Sequence, residues 1–300
     1  MTAATPKTIA EYLEQLRAAL AGADPALIQD ALYDAEEYLR SELAENPGVD
    51  EATLLASMAG SYGAPEEVAD IYRMQEATVV QALRPPPVKI RQSALGQFFG
   101  VVADPRAYTA LLYMLLSVAT GIFYFTWAIT GLSLSLGLLL LALIGVPLGI
   151  LFFASVRGIS LVEGRLVEVL LGERMPRRPL YSDRDKPLLT RIKEMFTDPR
   201  SWSTVLYMLL MLPLGTLYFT LAVTLLSVSL GLVLAPMAWL IGFPVSYGID
   251  SDLWIPPTVT LPILFSIGVL LLFGTLHLAR GIGYLHAQLA KQLLVKAARD

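Results

Sequence analysis

The stretch DPRAYTALLYMLL, Asp104–Leu116, is written a second time as DPRSWSTVLYMLL, Asp198–Leu210. Each copy is the last charged stop before a long apolar run. Residues 107–156 and 201–249 contain no Asp, Glu, Lys or Arg, and residues 253–279 add only His277. A helix needs about 20 apolar residues to cross the hydrocarbon core of a bilayer. These runs are too long for strands and lack the polar face of a surface helix. The sequence therefore predicts an all-α polytopic membrane protein. Composition agrees: 55% of the 300 residues are hydrophobic and 16% are charged, against about 25% charged in a soluble domain.

The duplication extends well past the opening stretch. Residues 104–138 and 198–232 align without a gap and share 20 of 35 positions. Asp, Pro, Arg, Tyr, Gly and Ser positions coincide, so shared hydrophobicity alone does not explain the match. Farther on, IGVP at 144–147 answers IGFP at 241–244, and RGISLVEGRLVEVLL from Arg157 answers RGIGYLHAQLAKQLL from Arg280. The second copy then carries an insertion at about 247–272. Asp104-Pro105 and Asp198-Pro199 read as a helix cap followed by a first-turn proline. Arg106 and Arg200 stand where an arginine reaches lipid phosphates. Upstream of them, GQFFGVVA and LLTRIKEMFT suit helices lying on the membrane surface.

The first copy predicts spans near 110–130 and 137–155, turning at GLSLSLG, residues 131–137. Basic residues crowd the segments on either side of this pair, and the turn has none. The positive-inside rule then places both basic segments in the cytoplasm. The second copy predicts a span at 204–224 and another at about 260–278. Between them lies an apolar stretch broken by Pro236 and Pro244. Read as a re-entrant or interfacial segment over 230–257, with Trp239 and Trp254 at the interface, it gives four spans and a cytoplasmic C-terminus. Counted as a span, it gives five and an external C-terminus.

Residues 1–82 form an acidic head of net charge −11, and residues 83–300 carry +7. Helical spacing of Leu13, Leu16 and Leu20, then of Ile28, Leu32, Ala35 and Leu39, predicts a small bundle. Asp30, Asp34, Glu37 and Arg40 fall on the face expected to be solvated, and Glu66 and Glu67 fit the first turn of a fourth helix. The linear organisation is thus a head (1–82), a Pro-rich linker with an interfacial helix (83–103), repeat 1 (104–180), a basic loop and elbow helix (181–197), and repeat 2 (198–300).

YLEQLRAAL, DALYDAEEYL and YGAPEEVADIY, within residues 9–80, resemble the HAAS-type helical domain of bacterial membrane signalling proteins. YMLLMLPLGTLYFTLAVTLLSVSLGL, the GFP turn and LHLARGIGYLHAQLAKQLL resemble the sensor domain found at the N-terminus of many bacterial histidine kinases, over residues 104–295. That resemblance implies an internal C-terminus. The 300 residues hold no phosphoacceptor helix and no ATP-binding domain, so autophosphorylation is not expected. The HAAS resemblance implies a cytoplasmic transcriptional regulator of the PadR type, or a kinase, as partner.

No nucleotide-binding loop, HExxH, G-x-S-x-G or cysteine occurs. His277 and His286 read as residues near a helix end and on an interfacial helix, and Asp250 and Asp252 as a solvated external pair. No catalytic, cofactor or metal site is expected, and the chain is not expected to be an enzyme. Gly121, Tyr124, Gly215 and Tyr218 are candidates for packing of the repeats or for holding a lipophilic ligand. The expected function is a non-enzymatic sensor in the bacterial inner membrane, with both termini cytoplasmic, relaying a membrane or lipophilic signal to a cytoplasmic regulator. The alternative is a transporter component or an accessory subunit of a small-molecule permease. Membrane lipids and a second copy of the chain complete the expected partners. Direct nucleic-acid binding is not expected.

Overall fold

The computed structural model describes residues 5–58, 60–83, 93–138, 142–178, 188–243, 246 and 257–295. Outside them lie most of the Pro-rich linker, Pro244, Asp250, Asp252 and Trp254, and the basic residues Arg84, Lys89, Arg91, Arg184, Lys186, Lys296 and Arg299. Among the described residues the fold is entirely helical. Contacts divide the chain into two compact units. One joins Met1–Arg84, Ala128–Tyr207 and Gln288–Asp300; the other joins Pro85–Trp127 and Met208–Ala287.

The first unit begins with the head. Helix α1, Ile9–Ala19, starts at Thr8, whose hydroxyl accepts from Glu11 N–H at 3.2 Å. Helix α2, Pro25–Glu45, starts at Asp24, whose carboxylate accepts from Ala26 N–H at 2.9 Å. Helix α3, Glu51–Met58, and helix α4, Pro65–Leu83, complete the bundle. Its core gathers Leu13, Leu16, Leu20, Leu32, Leu39, Leu54, Leu55, Met58 and Val68. Leu13, Leu16, Leu20, Leu32 and Leu39 are positions that helical periodicity singles out. Tyr12 donates to the Gly63 carbonyl at 2.9 Å, and Glu67 accepts from Ala64 N–H at 3.2 Å, closing the start of α4.

Among the described residues, four helices are long and apolar enough to cross a membrane: Pro105–Gly137, Ile144–Leu171, Pro199–Leu240 and Thr258–Val295. The α-helices of these spans are numbered α6 (Pro105–Gly137), α7 (Ala142–Leu171), α9 (Pro199–Leu240) and α10 (Leu261–Ala290). Two short helices precede the two repeats, α5 (Ala94–Gly100) and α8 (Leu188–Thr197).

Two boundaries differ from the sequence reading. GLSLSLG is the end of α6, not a turn. At Gly131 a Cβ would stand 2.1 Å from Phe152 Cδ2, so the glycine is a packing notch inside a helix. Residues 230–240 are not re-entrant; they continue α9, which runs unbroken through Pro213 and Pro236. At about 1.5 Å per residue its 42 residues extend about 63 Å, twice the thickness of a hydrocarbon core of about 30 Å. An isolated proline removes one backbone hydrogen bond and can leave a helix bent but continuous.

In the first unit α7 and α8 meet the start of α9. Phe153 packs against Phe196 and Trp202 at ring distances of 5.0 and 5.5 Å, and Trp202 Nε1 donates to the Phe196 carbonyl at 2.8 Å. In the second unit α5 is tied to α10: the His277 ring stacks on Phe98 and its Nε2 lies 3.0 Å from the Phe98 carbonyl. His277 is thus within α10 rather than at a helix end.

Candidate functional site

Where α7 ends, Gly172 takes a φ of 74°, a conformation that glycine adopts without a steric penalty. The chain leaves the helix there as GERMPRR, residues 172–178. Met175 is fully buried, which anchors the turn. Arg177 and Arg178 then present consecutive backbone N–H groups to one carboxylate oxygen. Asp30 Oδ1 accepts from both, at 2.8 Å each. Asp30 Oδ2 accepts from Arg174 Nη2 at 2.9 Å.

Arg174 is the centre of the arrangement. Its Nε donates to Glu76 Oε2 at 3.1 Å and its Nη1 to the Met175 carbonyl. Arginine presents a rigid planar fork, and here it joins α2 and α4 of the head through a single buried group. Arg178 pairs with Asp34 at 2.7 Å, and Arg177 with Glu168 at 2.7 Å. Gln29 donates to the Arg178 carbonyl at 2.6 Å. A second tie uses the end of the last long helix: Lys291 Nζ donates to Asp24 Oδ2 at 2.7 Å and to Glu173 Oε1 at 2.5 Å. Beside the clasp lies a cavity of about 360 Å³, bordered by Asp30, Asp34, Tyr72, Glu76, Arg165 and Arg174.

Asp30 was expected on the solvated face of α2; it is buried. Burial pushes its carboxyl above the usual carboxylate range, with the Arg177 N–H, the Arg174 guanidinium and the Arg178 N–H pulling the other way. For Arg174, burial opposes the charge, but Asp30 and Glu76 outweigh it and hold the guanidinium above its ordinary value.

The two Asp-Pro-Arg motifs make the same local bonds. Asp104 Oδ1 accepts from Arg106 N–H at 3.0 Å, and Asp198 Oδ1 from Arg200 N–H at 2.9 Å, with Pro105 and Pro199 opening α6 and α9. The second carboxylate oxygen of each faces an arginine from the other copy: Arg280 at 3.2 Å for Asp104, and Arg157 at 3.7 Å for Asp198. Arg157 and Arg280 are themselves aligned positions of the two copies.

The same reciprocity recurs deeper in each unit. Tyr207 donates to Glu163 Oε1 at 2.6 Å. Tyr113, the aligned tyrosine, lies 2.6 Å from Nε2 of His286, the residue aligned with Glu163. Tyr218 approaches His286 Nδ1 at 3.4 Å. Both Glu163 and His286 are 1% exposed. His286 is therefore a buried partner of two tyrosines, on α10 itself. Glu163 lies on α7 beyond its uncharged stretch.

In the second unit, a Cβ on Gly121 would stand 2.4 Å from the Met211 carbonyl oxygen, and one on Gly215 would stand 2.1 Å from that of Ser117. Ser117 and Met211 are again aligned positions. Each glycine lets α6 and α9 approach backbone to backbone. Tyr124 is 3% and Tyr218 8% exposed, so both side chains are packed within the protein.

The sequence does not single out Glu76, Glu163, Tyr113 or Tyr207, although the tyrosines are a shared position of the repeated LYMLL; it reads Asp30 as solvated and Arg174 as one of a basic cluster opposite an acidic head.

Four long apolar helices, with charges gathered at their ends, define a multi-pass membrane protein. Over residues 113–294 the chain matches the family described as "Putative sensor", and it belongs to that family. No curated protein and no solved structure matches it.

Proposed function

We propose that the chain is a non-enzymatic bacterial inner-membrane sensor that relays a membrane or lipophilic signal to a cytoplasmic regulator. The apolar helices receive the signal, and the acidic head presents it. The observation that carries this reading is the Arg174 clasp. One guanidinium at the end of α7 bonds Asp30 of α2 and Glu76 of α4. A displacement of the end of α7 therefore acts on the head through Asp30 and Glu76. The family supports a sensing role in general terms. The regulator and the cytoplasmic placement of both termini belong to the proposal, the latter motivated by the basic segments flanking the first pair of spans.

The test uses the chain's lack of cysteine. The pair Gln29→Cys and Arg178→Cys replaces residues already in contact. In membranes the pair is expected to cross-link readily, at a rate that changes with lipid chain length or with added lipophilic compounds. A rate indifferent to all of these removes the relay. Absence of cross-linking in every condition removes the clasp itself.

A further inference from the structure

A second, smaller cavity lies in the first unit between the head, the end of the apolar part of α7 and the start of α9. Its volume is about 20 Å³, and Gln29, Arg157, Ser160, Arg200, Ser201 and Thr204 contribute its polar lining. Most of these groups are engaged. Ser160 donates to the Arg157 carbonyl at 2.7 Å, Thr204 to the Arg200 carbonyl at 2.9 Å, and Gln29 to the Arg178 carbonyl at 2.6 Å. Two are not. Ser201 is 2% exposed, yet its hydroxyl has no hydrogen-bond partner among the described residues. The buried Nε of Arg157 has none there either. A buried donor left unsatisfied forfeits its hydration without return, so two at one cavity ask for an acceptor.

The charge around the cavity says which kind. Arg157 and Arg200 both line it. Asp198 answers Arg157 only at 3.7 Å and spends its other oxygen on the Arg200 N–H. The start of α9 adds the positive end of a helix dipole. The acceptor is therefore an anion. The volume admits about one oxygen-sized atom, so a single oxygen enters and the rest of the ligand stays outside.

Sequence position says where that ligand comes from. Arg157 is the first charge after the uncharged run 107–156, and Arg200 is the last before the run 201–249. Both stand where hydrocarbon gives way to headgroups. We propose that this cavity takes one phosphate oxygen of an anionic phospholipid, donated to by Ser201 and Arg157, and that the bound lipid braces the head through its contact at Gln29. The inference rests on the reading of the chain as a membrane sensor and names a lipid it holds.

The full chain in an uncharged maltoside detergent is melted alone, with dihexanoyl phosphatidylglycerol, with inorganic phosphate, or with dihexanoylglycerol. The melting midpoint is expected to rise with phosphatidylglycerol only. Ser201→Leu fills the cavity and removes the donor, and it abolishes that rise. Arg157→Gln weakens the apparent affinity about ten-fold, the worth of one hydrogen bond from a charged donor. An equal rise with inorganic phosphate assigns the site to free phosphate and overturns the lipid. No rise in the unaltered chain, or a rise kept in full by Ser201→Leu, leaves the cavity to water and overturns the site. Should Ser201→Leu not fold, Ser201→Ala serves: a weaker rise supports the site, and an unchanged one removes it. Flotation of the unaltered chain with vesicles checks the membrane reading separately.

Discussion

Arg174 shows how much one side chain can hold. It and Asp30 are each 8% exposed, and Glu76 is 13% exposed. Breaking a buried pair by removing one partner costs about 3–5 kcal/mol, because the other charge stays behind without compensation. Arg174→Ala is therefore expected to abolish cross-linking of the Gln29→Cys and Arg178→Cys pair and to lower the melting midpoint. Arg174→Lys keeps the charge but loses the fork, and is expected to fall between the two. Asp30 adds a pH signature. Burial holds its folded carboxyl above the unfolded value, so the folded state binds the proton more readily. This group alone then makes stability rise as pH falls into the carboxylate range, and makes it decline as pH climbs out of that range. Asp30→Asn is expected to remove that slope from a series of melts at different pH. Sequence could not reveal the residue: α2 has apolar positions enough to define its inner face, and Asp30 lies off it. Its partners stand 144 to 148 residues away. Periodicity reports which face is polar, but not which polar face meets a distant arginine.

At the scale of helices, the apolar runs were legible because the bilayer imposes a length on them. Their ends were less so. A glycine inside an apolar run reads as a turn when it is a notch for Phe152, as at Gly131. A proline reads as a break when the helix passes through it, as at Pro236. The distinction matters for substitution. Gly215 sits against the Ser117 backbone and Gly121 against that of Met211, whereas nothing lies within 4 Å of a Cβ on Gly137 or Gly231. Backbone cannot retreat as a flexible side chain can. Gly215→Val and Gly121→Val are expected to force α6 and α9 apart and to reduce the yield of folded protein sharply. Gly137→Ala and Gly231→Ala should be tolerated, with a gain of about 0.5–1 kcal/mol from a better helix former. Equal yields from all four variants in detergent-stable form would refute the close crossing.

At the scale of the whole chain, the contact of Lys291 with Asp24 constrains topology. Asp24 caps α2 in the head, and Lys291 follows α10. Two groups 2.7 Å apart cannot lie on opposite sides of a bilayer. With four helices able to cross, an even number of passages brings the chain back to the side from which it started. The five-span count would separate these residues by the membrane thickness. The cytoplasmic side proposed for them rests on the arginines and lysines beside the first pair of spans, through the positive-inside rule. A reporter active only in the cytoplasm, fused after Asp300, is therefore expected to be active. An impermeant thiol reagent should fail to label Asp300→Cys in intact cells and should label it after lysis. Salt separates the clasp from a loose attraction of opposite charges. Exposed pairs are screened at about 10 Å in 0.1 M salt, and buried ones much less. Arg178 and Asp34 are 49% and 30% exposed, so their pair should fade with salt in the unaltered chain, and Arg178→Cys removes it. The buried Arg174 bonds should persist, and cross-linking of the Gln29→Cys and Arg178→Cys pair should survive 1 M salt. Loss of cross-linking at that concentration would mean that the head is held by surface charge alone, and the rigid link from the end of α7 to α2 and α4 would be lost.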